Sequence, residues 1–506
     1  MTVEPVATQM AHDVAAAPPR EEAKKVAEET KEVVIDQGGE AEAPDEAVKA
    51  VEKSASYREE SNFLSDLKEF ERKALNELRS KLEDAILGDA LFEKPEEKKK
   101  AKKEEEAAPC DESAAEKEKP EEAEKVEEGG GDAEEAKEEE EKKEEEKKEE
   151  EEGQCVEVDR EIALWGVPLL PSKGAEETNV VLLKFLRARE FKVNEAFEML
   201  KKTLRWRKES GVDSALGEAV DSELSAAAYW DGTDREGHPV CYNVYGVFRD
   251  AGLYRKALGT EENRERFLRW RVQLMEQGIK KLDLKPGGVS SLLQINDLKN
   301  SPGPAKKELR VTTQRAIHLF QDNYPELVAR NIFINAPFWY YALNALISPF
   351  LTQRTKSKFL VARPGKVTKT LLKYIPAEEI PVQYGGFKRE KDFEFSSEDG
   401  SVSELTVKAG STETIELPIE GTGNTLLWDI TVLGWEVNYK EEFVPIDEGS
   451  YTIIVQKGKK MAPSEEPIRN TFRNNELGKI VLTIENVSAK QKQVLYRYKT
   501  KKCSSF

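Results

Sequence analysis

Cysteine and histidine are scarce in this chain of 506 residues, which holds four of the former and three of the latter. Cys110, Cys155, Cys241 and Cys503 are scattered without C-x-x-C spacing, which excludes a recognisable zinc site and argues against a disulfide framework. A reducing cytosol is the compartment this implies. No P-loop and no G-x-S-x-G elbow occur. His238 stands in a turn before Pro239 and His318 falls inside a helical pattern, so an enzyme is not expected. The opening MTVEPVATQMAHDVAAAPPREEAKK lacks a basic stretch followed by an apolar one, so no secretory signal is expected. Cys503-Ser504-Ser505-Phe506 fits a prenylation box only loosely, because its middle residues are not aliphatic.

Charge is abundant but uneven. The formal net charge is −20, yet residues 1–155 alone carry 51 acidic and 26 basic side chains, a net of −25, which leaves +5 for the rest. Stretches such as EEEEKKEEEKKEEEEEG cannot bury enough apolar surface to offset the entropy of ordering, so residues 1–155 read as an acidic disordered region. One island interrupts it near 62–88, where Phe63, Leu67, Phe70, Ala74, Leu78 and Leu82 recur at helical spacing. That helix needs something to pack on: the protein's own body, a partner or, least compatible with its acidic polar face, a membrane.

From Val156 the composition turns globular. Residues 156–222 read as helices, with Val181, Leu182, Phe185 and Leu186 on the first, Asn194 as a cap and Gly211 as a stop. Across 223–391 short apolar strands alternate with amphipathic helices, the pattern of a mostly parallel sheet with crossover helices. Over 392–506 seven strands at roughly ten-residue spacing, divided by Gly, Pro, Asn and Ser, predict an antiparallel sandwich.

One segment breaks the charge pattern: Asn331 to Gln353 is 23 residues without a charged side chain, long enough to cross a bilayer. Its content argues against a span. Asn331, Asn335 and Asn344 are polar, and Pro337 and Pro349 cut the run into pieces. Ile332 to Ile334 reads as a strand and FWYYALNALIS as a helix starting at Pro337. Phe338, Leu343, Leu346, Ile347, Phe350 and Leu351 wrap around that helix, which is therefore a core helix, a membrane-facing one or the wall of an apolar cavity.

The segments FLRAREF, RWRKESG, TDREGHPV, NDLKN, NYPELVARNIFINAPF, SKFLVA and IPAEEIPVQYGG, in this order, closely resemble the CRAL-TRIO lipid-binding family. The likeness is strongest to its phosphatidylinositol/phosphatidylcholine-transfer type. WDITVLGWEVNYKEEFVP and GKIVLTIENVSAKQKQVLYRYK resemble a GOLD domain. An acidic head, a CRAL-TRIO unit and a C-terminal GOLD domain together resemble the plant patellins, over roughly residues 156–500. The resemblance implies an α/β half-barrel whose apolar floor holds the acyl chains of one phospholipid, and a mobile helix, here at Phe350 and Leu351, that gates it.

It also implies headgroup contacts at Arg207, Lys208, Glu326, Thr355 and Lys358, whose residue types match the family's. Lysines can neutralise a phosphodiester and a carboxylate can accept from inositol hydroxyls. The departure lies at Leu292 and Gln294, where transfer-type relatives carry hydroxyls for the choline headgroup. Inositol lipid is favoured over choline lipid on that account. The implied function is a phosphoinositide-binding, peripherally membrane-associated cytoplasmic protein of membrane traffic and cell-plate formation. Its bound phospholipid is a ligand rather than a cofactor. Protein partners would bind the GOLD domain and the acidic head, and no nucleic acid is expected. The alternatives are a carrier of a tocopherol- or retinoid-like molecule and a trafficking adaptor with a structural lipid.

Overall fold

The computed structural model describes residues 58–88, 91–92, 161–172, 176–215, 217, 223–302, 306–337, 340, 357–396, 399, 401–463 and 465–502. Most of the acidic head, and with it the expectation of disorder, falls outside these residues. Helix α1 (Glu69–Leu87) begins where the Glu71 carboxylate accepts the Lys68 backbone N–H at 2.9 Å. It stops at Gly88, whose N–H returns to the Asp84 carbonyl. Its Leu75, Leu78 and Leu82 are fully buried against a small hairpin, β1 (Ala163–Leu164) and β2 (Val167–Pro168), and helices α2 (Glu176–Ala188) and α3 (Val193–Glu209). Each such leucine contributes about 1.5–3 kcal/mol. The helix thus docks on the protein's own body.

Two local expectations are corrected. The buried stripe of α1 runs through Ala74, Leu75, Leu78, Leu82 and Ile86, while Phe63 and Phe70 stay exposed. Asn194 is not the cap of α3; the cap position is Lys192, and the Asn194 amide oxygen receives Lys81 from α1 instead. Gly211, at φ +57°, does follow the end of α3 in a left-handed conformation that favours glycine.

The α/β unit is a five-stranded sheet in sequence order, β3 (Ala228–Thr233), β4 (Pro239–Val244), β5 (Leu292–Asp297), β6 (Val328–Ile334) and β7 (Phe359–Val361). The first pair is antiparallel and the rest are parallel. Helices α4 (Ala251–Leu258), α5 (Glu261–Ile279) and α6 (Lys307–Asn323) make the crossovers, and α7 (Val367–Leu371) follows β7. One sheet face is sealed by apolar side chains: Val240, Tyr242, Leu293, Ile295, Ile332 and Ile334 pack on Leu371, Ile375, Ile380 and Tyr384.

The C-terminal unit has eight strands in two antiparallel sheets, ordered β13-β10-β15-β8 and β12-β11-β14-β9. They are β8 (Ser403–Val407), β9 (Thr412–Ile419), β10 (Thr425–Val432), β11 (Asn438–Pro445), β12 (Ile453–Lys460), β13 (Ile468–Arg473), β14 (Gly478–Glu485) and β15 (Lys492–Lys501). Strand β13 was not legible in the sequence, because IRNTFR is an edge strand without a buried alternation. Trp428, Tyr439, Phe443 and Leu482 fill the core between the sheets. Among the described residues no helix is long and apolar enough to cross a membrane.

Candidate functional site

The turn between α6 and β6 organises the site. Glu326 sits there at φ +54°, a left-handed conformation uncommon outside glycine. Its carboxylate meets Lys358 Nζ at 2.6 Å, just before β7, and both side chains are largely buried. Lys184 of α2, almost wholly buried, donates to the Glu326 carbonyl oxygen at 3.0 Å and reaches Ser290 Oγ at 3.4 Å. Burial pushes the Lys184 ammonium down to about 8, with the carboxylates of Glu59 and Glu326 resisting. Two lysines thus converge on Glu326, Lys358 on its carboxylate and Lys184 on its backbone carbonyl, at the N-terminal ends of the parallel strands.

Arg207 stands apart from that pair. Its guanidinium is buried against Glu276 of α5 and meets Asp213 at 2.6 Å. The Tyr324 hydroxyl donates to the same Glu276 at 2.6 Å, and its ring packs on Trp165 and Trp206. Arg207 and Tyr324, two residues before Glu326, therefore share the Glu276 carboxylate. Lys208 is exposed, with Nζ 5.1 Å above the Phe92 ring. Thr355, Phe338, Leu343, Leu346, Ile347, Phe350 and Leu351 lie outside the described residues. The structure accordingly brings Glu326 and Lys358 together, links Arg207 to them through Tyr324, and places Lys208 on Phe92.

A further group of residues escaped sequence reading. The segment before α1 lies across a cleft of about 210 Å³ shared with Lys184, Arg187, Ser290 and Glu326. Glu59 meets His238 Nε2 at 2.9 Å and accepts from Ser291 Oγ at 2.5 Å, while Asp234 holds His238 Nδ1 at 2.9 Å. Glu60 pairs with Arg187 Nε at 2.8 Å. Arg187 also donates to the Asn62 amide oxygen and the Ser61 carbonyl, each at 2.6 Å. The available signal was a pair of cations, Lys184 and Arg187, in the apolar run VVLLKFLRA of α2, and two glutamates in YREESN. His238, in the turn before Pro239, is held between Asp234 and Glu59.

Three family models match the chain: the CRAL/TRIO N-terminal domain at 134–202, the CRAL/TRIO domain at 225–386 and the Patellin-1-like C-terminal GOLD domain at 408–492. Patellin-4 of Arabidopsis thaliana is 59% identical, over 95% of this chain and 94% of its own length. The chain belongs to the patellin family. Another patellin, Patellin-3 of Arabidopsis thaliana, is 49% identical over 69% of this chain and 71% of that protein. More distantly, the phosphatidylinositol transfer protein SFH5 of Meyerozyma guilliermondii is 30% identical over 48% of this chain and 71% of its own length. The likeness of this patellin to SFH5 covers about half of the chain, whereas Patellin-4 extends along nearly the whole of it.

Proposed function

We propose that this patellin binds phosphatidylinositol or a phosphoinositide in its CRAL-TRIO unit and works, without a catalytic step, as a peripheral membrane protein. The observation that carries the reading is the Glu326–Lys358 pair, a lysine and a carboxylate held 2.6 Å apart beside a cleft. In this reading Lys358 turns to the lipid phosphate and Glu326 accepts from inositol hydroxyls, exchanging one charge-assisted contact for another. Arg207 supports the site through Tyr324, Lys208 meets phosphates at the membrane surface, and Thr355 donates to the phosphodiester. Phe338, Leu343, Leu346, Ile347, Phe350 and Leu351 wall and gate the acyl chains.

That the relative SFH5 is a phosphatidylinositol transfer protein supports the lipid class. Protein partners would bind through the GOLD domain and the acidic head, on cytoplasmic membrane faces that include the plasma membrane and the cell plate, in membrane traffic and plant cytokinesis. The domain limits follow the sequence divisions at 155, 222 and 391. The test is native mass spectrometry of the full chain after incubation with vesicles containing phosphatidylinositol. Lys358→Ala is expected to lower loading about tenfold, the loss of one hydrogen bond to a charged group. Equal loading of the variant and the parent protein would remove Lys358 from the site.

A further inference from the structure

The segment ahead of α1, residues 58–67, is fastened to the body in a different way from α1 itself. Arg58 to Ser61 and Phe63 to Asp66 are exposed, and Leu67 is the one buried side chain of the segment. Its hold is polar. Glu59 reaches His238 and Ser291, Glu60 reaches Arg187, and Arg187 also takes Asn62 and the Ser61 carbonyl. The Phe63 ring adds an apolar contact over Gly287, where a β-carbon would come within 2.8 Å of its Cζ. Beneath the segment Lys184, Arg187, His238 and Ser291 are all buried. Buried cations need anionic partners, and the segment supplies two of them from its own chain.

The same segment is joined to the Glu326–Lys358 pair by a continuous line of contacts. Asn62 Nδ2 donates to Ser290 Oγ at 3.2 Å, and Lys184 Nζ reaches that same oxygen at 3.4 Å. Lys184 also donates to the Glu326 carbonyl at 3.0 Å, and the Glu326 carboxylate meets Lys358 at 2.6 Å. Helix α1 is held instead by Leu75, Leu78 and Leu82 in the apolar core. A competing anion weakens the first kind of attachment and leaves the second untouched. A segment with few apolar contacts belongs to the least stable part of a fold. Residues 58–67 are therefore free to lift about Lys68 while α1 stays docked.

We propose that residues 58–67 are an autoinhibitory strap, in which Glu59 and Glu60 hold His238 and Arg187 until a phosphate ester competes for Arg187 and lifts them. The exchange is chemically favourable at Arg187, because a planar guanidinium takes two phosphate oxygens at once where Glu60 offers it a single contact. With the strap closed, Asn62 and Phe63 cover the cleft of about 210 Å³ that Glu326 lines. With the strap lifted, the cleft opens beside the Glu326–Lys358 pair. The inference names the control of that site and rests on the headgroup reading for what the open cleft admits. The fastening of the strap by Arg187 and His238 does not depend on that reading.

The experiment follows amide hydrogen exchange of the full chain, read separately over 58–67 and over α1 at one pH. The probes are inositol hexakisphosphate, sodium chloride at equal ionic strength, and phosphatidylcholine vesicles with or without phosphatidylinositol 4-phosphate. Each phosphorylated probe is expected to speed exchange over 58–67 about tenfold, the loss of one charged hydrogen bond, with α1 unchanged. Chloride and plain vesicles are expected to leave both alone. Release by the soluble probe only identifies a free phosphate as the opener, and release by the vesicles only identifies a lipid headgroup. Glu59→Gln with Glu60→Gln is expected to exchange at the released rate without a probe. In native mass spectrometry that double variant is expected to load phosphatidylinositol several times faster than the parent. Unchanged protection with both phosphorylated probes, parent-like protection in the double variant, or equal rates where both proteins load lipid, overturns the proposal. If neither protein loads phosphatidylinositol while the soluble probe still frees 58–67, the headgroup reading falls and the strap stands.

Discussion

At the scale of single residues, His238 and Glu59 form the contact most sensitive to pH. Burial disfavours the charged imidazole, but hydrogen bonds to Asp234 and Glu59 outweigh it and raise His238 from 6.5 to about 9. Burial likewise opposes the Glu59 charge, yet His238 and Ser291 pull its pKa from 4.5 down to about 2. A raised imidazole pKa stabilises fully below its unfolded value of 6.5, and the gain is lost as pH climbs through about 9. A depressed carboxylate stabilises fully above 4.5, and that gain is lost as pH falls toward about 2. Anchoring of residues 58–67 is therefore expected to be strongest between 4.5 and 6.5 and to weaken as pH rises through about 9. Amide hydrogen exchange over this segment, corrected for the intrinsic rate, checks it, and Glu59→Gln is expected to flatten the dependence. Protection that ignores pH in the parent protein would contradict the assignment.

At the scale of the element, α1 shows how far periodicity reaches. The sequence gives its helical character and length, because apolar residues recur every three or four positions. It does not give the rotation of the helix. Phe70 satisfies the same spacing as Leu78, but α2 and α3 press on the side that holds Leu75, Leu78 and Leu82. Leu78→Ala is expected to cost about 2–5 kcal/mol in urea unfolding, since it empties a fully enclosed position. Phe70→Ala, which loses mainly an edge contact with Phe191, is expected to cost about 1 kcal/mol or less. Equal losses would mean that the stripe was read correctly from the sequence and that the docked orientation is wrong. The same limit applies to β13, whose polar residues carry no periodic signal and are held by pairing with β10.

At the scale of the whole molecule, the α/β unit and the sandwich are joined by charge as well as by apolar contact. Asp429, fully buried on β10, receives Arg389 from the segment after the α/β unit, Arg469 from β13 and Arg497 from β15. Arg497 also donates to the Phe387 carbonyl at 3.2 Å, and Leu495 packs on Phe387 and Ala377. Asp429→Asn leaves Arg469 and Arg497 with Asp392 and Arg389 with the Pro467 carbonyl, and is expected to cost about 3–5 kcal/mol. Calorimetry is expected to show the sandwich melting earlier and separately from the α/β unit. A single unshifted transition would mean that this junction contributes little.

The sequence alone determined the division into an acidic head, an α/β unit and a β-sandwich, because charge composition and the period of apolar residues are properties of neighbours along the chain. It also brought Glu326 and Lys358 forward, since both lie in motifs that can be read in a line. Tertiary structure decided what each charge meets. Arg207 is engaged by Glu276, Lys184 stands behind Glu326, and Glu59 reaches His238. Those pairs are dozens to well over a hundred residues apart in sequence, and no local period records which of them folding brings into contact. The two amide pairs, Gln294 beside Asn331 and Asn243 beside Asn296, are of the same kind. Only the parallel register places these amides side by side and sets Asn243 against Arg271.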